Sequence, residues 1–87
     1  MDIVGFFGKK LEEKTGIKEI ACKGMIRLAF RDAGIDSSTF KIDEYKKVFS
    51  KNLKIRFEKS GIDNPNALAD YMVSELIKNQ GLFTMSA

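Results

Sequence analysis

Glycine followed by an apolar residue recurs at Gly16-Ile17, Gly34-Ile35 and Gly61-Ile62, with Gly81-Leu82 as a fourth instance. Each pair follows a stretch in which apolar residues return every three or four positions. Helices often end on one residue in the left-handed conformation, which glycine adopts without a Cβ penalty. The next residue is then often apolar and folds back onto the last turn. Four such stops predict four helices, at about residues 2–15, 18–33, 42–60 and 65–80. A chain of 87 residues has room for one core only. The expected architecture is therefore all-α: a compact single-domain bundle of four helices over residues 1–87, with an apolar C-terminal tail.

Periodicity assigns the faces. In the first helix Ile3, Val4, Phe7 and Leu11 share one side, opposite Lys9, Glu12 and Glu13. The second helix has an apolar arc of roughly 200° at 100° per residue, containing Ala21, Cys22, Met25, Ile26, Leu28, Ala29, Phe30 and Ala33. So wide an arc predicts the central helix. Gly24 inside it costs about 1 kcal/mol against alanine, so close helix approach is its expected use. Ile42, Tyr45, Phe49, Leu53 and Phe57 form the stripe of the third helix, although the alternation of Leu53, Ile55 and Phe57 leaves a short strand over 52–57 open. Asp63 or Asn64 is positioned to cap the last helix, with Pro65 at its first turn, and Leu68, Tyr71, Met72, Val73 and Leu76 inward.

Several function classes have no residues to stand on. Histidine is absent and Cys22 is the single cysteine, so there is no zinc set, no triad and no internal disulfide. No glycine-rich phosphate loop occurs. Lacking catalytic residues, a cofactor motif or an evident small-molecule site, the chain is expected not to be an enzyme. Cys22 reads as a core residue. No apolar run approaches the roughly 18 residues that span a bilayer. The acidic start and short apolar stretch at the N-terminus do not form a secretory leader. A cytoplasmic setting without membrane contact is expected. The net charge of +3, from 15 cations and 12 acids, is too mild to name a partner.

Two groups stand out as candidate sites. Lys23, Arg27 and Arg31 lie at i, i+4 and i+8 on the second helix, a cationic ridge suited to a polyanion or an acidic partner. The second group is apolar. Val48 and Ile55 are seven apart, lie roughly 120° from the main stripe of a uniform helix, and need a cover. The tail adds Leu82, Phe83 and Met85, which either dock on the core or meet another protein. The other lysines of the third helix read as a salt-bridged surface through Asp43–Lys47 and Lys54–Glu58. Glu75 is expected to pair with Arg56 or Lys46.

The resulting expectation is a small helical protein-protein interaction or regulatory module without catalytic activity, meeting an unidentified protein or a second copy of itself. The alternative is a DNA-binding domain of helix-turn-helix type that uses the ridge of the second helix. Against the alternative, Glu19 occupies the first turn, where base contacts begin. The turn at Gly61 to Asn64 leads into a helix whose exposed face includes Asp70, Ser74 and Glu75, the wrong sign for phosphates.

Overall fold

The computed structural model describes residues 2–84, all-α, with helices α1 (Ile3–Thr15), α2 (Glu19–Ala33), α3 (Ile42–Lys47), α4 (Leu53–Lys59), α5 (Pro65–Lys78) and α6 (Gly81–Thr84). A π-helical turn at Val48–Asn52 joins α3 to α4 without a break, so the two form one continuous rod. Residues 52–57 are thus helical, and the strand alternative falls away. The rod is the hub of the bundle. Tyr45, Val48, Phe49, Leu53 and Phe57 are all fully buried on it, and it packs against both α2 and α5. The wide arc of α2 had suggested that helix for the centre. Instead Ala21 is exposed and Met25, Leu28 and Ala33 are half-buried, which leaves Cys22, Ile26, Ala29 and Phe30 as its core contribution.

The π turn explains the rod. Tyr45, Phe49, Leu53 and Phe57 follow in three successive steps of four residues. In a uniform α-helix each step drifts by about 40°, and the stripe would wind about 120° around the rod. A π turn carries one extra residue, with an i→i+5 bond; here Leu53 N–H donates to Val48 O. The extra residue takes back about 100° and returns all four side chains to one line. It also separates Val48 from Ile55: Val48 is fully buried, while Ile55 is 39% exposed. The shared apolar face expected of this pair does not form.

Capping follows the sequence closely at three of the four stops. At Gly34 (φ 68°) and Gly61 (φ 73°) the chain forms Schellman closures: Ile35 N donates to Phe30 O and Ile62 N to Phe57 O, each at 3.1 Å. Gly81 is the exception. Helix α5 stops at Lys78, where Asn79 Nδ2 donates to Glu75 O at 2.8 Å, and Gly81 opens the short α6. At the N-termini Asp2 caps α1 by accepting from Val4 N and Gly5 N, and Asn64 caps α5 by accepting from Ala67 N. Lys18 supplies no cap to α2. Glu12 on α1 does so instead, its Oε2 accepting from Glu19 N at 2.8 Å.

The tail docks as far as it is described. Phe83 is 6% exposed, with its ring 5.5–5.9 Å from those of Phe6, Phe7 and Phe40. Phe7 in turn meets Phe49 edge-on at 5.1 Å, so one aromatic chain links α1, the rod and α6. Phe83→Ala should therefore lower stability by about 1–3 kcal/mol in denaturant melts despite its place near the chain end.

Tyr45 secures the 34–41 connection from within. Its hydroxyl donates between Asp36 O at 2.7 Å and Thr39 O at 3.0 Å. Burial, with smaller effects from Asp36 and Glu44, pushes its pKa from 10.0 up to about 12. Between these values the folded protein keeps a proton that the unfolded chain has lost. The associated stability is complete below about pH 10 and declines as pH rises towards 12. Tyr45→Phe should cost about 1 kcal/mol at neutral pH and weaken the alkaline fall in Tm, which melts across that range will check.

Candidate functional site

Two neighbours fix α2 and leave one side of it bare. On one flank α1 comes close: a Cβ built on Gly8 would lie 2.6 Å from Lys23 Cγ and 3.5 Å from Lys23 N. On the other flank Arg56 of α4 binds Asp32, with Nη2 at 2.6 Å and Nε at 2.8 Å from the same carboxylate oxygen. Ser60 Oγ also donates to Met25 Sδ at 3.5 Å. The outward side carries Ile20, Gly24, Arg27 and Arg31. Ile20 is 80% exposed, the extreme among the large apolar residues described. Arg27 and Arg31 are exposed and form no ion pair among the described residues.

The predicted ridge therefore divides. Lys23 leaves it, since its ammonium sits 3.0 Å from Glu19 and its stem lies on Gly8. Arg27 and Arg31 remain unpaired. Ile20 was not anticipated, although its position was legible: it lies well outside the arc of Cys22, Ile26 and Ala29 on a helical wheel. Gly24 was expected to admit a neighbouring helix of the same chain. Nothing lies within 4 Å of its Cβ position, and the close approach occurs at Gly8 instead.

The apolar candidates scatter as well. Val48 and Phe83 belong to the core and are closed to a partner. Ile55 (39%) and Leu82 (44%) are partly exposed, while Met85 lies outside the described residues. Neither Asp43–Lys47 nor Lys54–Glu58 forms an ion pair; Lys41 and Glu44 stand at 3.9 Å instead. Glu75 pairs with Lys10 on α1 at 3.0 Å, not with Arg56 or Lys46. The hydrogen bond to Glu75 is the main cause holding the Lys10 ammonium above its ordinary pKa.

Cys22 is fully buried and donates to Ile17 O at 3.5 Å; burial, then the Glu12 carboxylate, pushes its thiol pKa up and away from the reactive thiolate. Among the described residues no three His, Cys, Asp or Glu side chains cluster as metal ligands, and no helix is long and apolar enough to cross a membrane. A hollow of about 570 Å³ opens between the C-terminal end of α1, the 60–64 connection and α5, lined by Lys14, Ile17, Ile62, Asp63, Leu68 and Tyr71 among others. Its most prominent cation is engaged, with Lys14 Nζ 4.8 Å from the centre of the Tyr71 ring.

No protein-family model, curated protein or solved structure matches the chain. The bare side of α2 is accordingly read from its own chemistry. Reversing its charges should leave the fold standing: Arg27→Glu with Arg31→Glu should cost no more than about 1 kcal/mol by chemical denaturation, since neither residue has an ion pair to lose among the described residues. Arg56→Glu, which sets a carboxylate against Asp32, should cost more than both together.

Proposed function

We propose that the protein is a non-catalytic binding module that docks another protein through the outward side of α2. The observation that carries this reading is Ile20, an isoleucine 80% exposed on a helix that also presents Arg27 and Arg31 unpaired. Arginine is enriched in protein interfaces, and an exposed isoleucine on the same side of the helix supports that reading.

The unpaired arginines also support a second reading, a polyanion such as duplex DNA. A helix-turn-helix domain reads bases with the first residues of its recognition helix. In α2 that end carries Glu19 and the Glu12 carboxylate that caps it, and both would face phosphates with the wrong sign. The protein reading is the stronger one for that reason.

A photo-crosslinking residue placed at position 20, with position 50 on the rod as an exposed control, tests it in extracts of the source cells. Discrete protein adducts at position 20 that disappear with Arg27→Glu/Arg31→Glu are expected; absence of adducts overturns the reading. Anisotropy of a labelled random duplex, measured at about 50 and 200 mM salt, should stay flat. Salt-steep binding lost in the double variant would establish the polyanion reading instead.

A further inference from the structure

Gly24 has a cost and, among the described residues, no neighbour that makes use of it. A glycine in a helix interior destabilises that helix relative to alanine, and close approach by a neighbour is the usual reason to keep one. Gly8 has such a neighbour in Lys23, whereas the space over Gly24 is open. The space over Gly24 is thus open to a group from outside the chain.

The residues around the opening are spaced for one kind of visitor. Ile20, Gly24, Arg27 and Arg31 follow at i, i+4, i+7 and i+11, the four-three-four spacing along which one helix faces another. The N-terminal half of this seam is apolar and low, and the C-terminal half carries two free guanidinium groups. We propose that the seam receives an acidic α-helix of a partner protein. Its backbone crosses at Gly24, an apolar side chain rests on Ile20, and carboxylates accept hydrogen bonds from Arg27 and Arg31. This rests on the reading of α2 as the docking side. A second copy of the chain fits poorly. A two-fold antiparallel pairing of the seams would set four arginines along one contact, and the nearby acid Glu19 is already bound to Lys23.

The test uses two stapled helical peptides and a labelled duplex as probes, titrated against the whole protein. One peptide carries leucine and two glutamates on a single seam; in the other, lysines replace the glutamates. Saturable binding of the acidic peptide alone is expected, with amide shifts centred on residues 20, 24, 27 and 31. Gly24→Ala should raise Tm by several degrees, and Gly24→Trp should leave the fold intact while weakening the acidic peptide at least tenfold. Arg27→Glu/Arg31→Glu should weaken it as much. Failure of the acidic peptide to bind, equal binding by Gly24→Trp, or preference for the duplex overturns the proposal. If the peptide fails while position 20 still crosslinks a protein, the docking side stands and the helical occupant falls. If both fail, the docking reading falls with it.

Discussion

The π turn at Val48–Asn52 sets the register on which the core is assembled. Four large side chains spaced by four, Tyr45, Phe49, Leu53 and Phe57, have to face the same neighbours along a rod, and an α-helix alone turns them away from one another. With the turn in place each is fully buried. Phe49 then meets Phe7 of α1 and Phe30 of α2, and Tyr45 meets Phe30 and Phe40. Phe7 carries the chain of ring contacts to Phe83. A one-residue change in the rod would rotate one half of the ladder against the other, and both α2 and α5 would lose their seat.

Two glycines show how the same residue type serves opposite ends. Gly8 lets α1 press on Lys23, which draws that side chain down into the bundle and out of the ridge. The Asp32–Arg56 pair holds the other flank of α2. With both flanks occupied, the orientation of α2 is fixed, and Gly24 with its neighbours is left facing water. The exposed side of α2 is thus a result of the packing that braces the helix.

The all-α class, the number of main helices and the closures at Gly16, Gly34 and Gly61 were legible because capping is local chemistry. Gly81 misled for the same reason: Asn79 reaches back to Glu75 O two residues earlier and ends the helix first. The pairing of Val48 with Ile55 was misjudged because a fixed 100° step was carried through the rod. Three successive spacings of four were the available sign that the helix is locally underwound. Ion pairs between elements were beyond reach, since Lys10–Glu75 and Arg56–Asp32 depend on which helices become neighbours. The use of Gly24 was misplaced likewise; a single glycine announces a close approach without saying whose.

The distribution of acids gives the bare side of α2 its sign. Glu12 is held by the α2 N-terminus, Glu19 by Lys23, Asp32 by Arg56, Asp36 by Ser38 and Glu75 by Lys10. The two acids of α2 itself, Glu19 and Asp32, therefore brace the helix, and Arg27 and Arg31 form no ion pair among the described residues. Neither acid of α2 can turn to them without leaving its own ion pair. An acidic visitor supplies the missing charge without that conflict, and at an exposed seam it meets little of the desolvation cost attached to a buried pair. The cations that brace the bundle, Lys10, Lys23 and Arg56, are thus distinct from Arg27 and Arg31, and on the proposed reading changes at Ile20, Gly24, Arg27 and Arg31 would alter binding while the aromatic ladder stays in place.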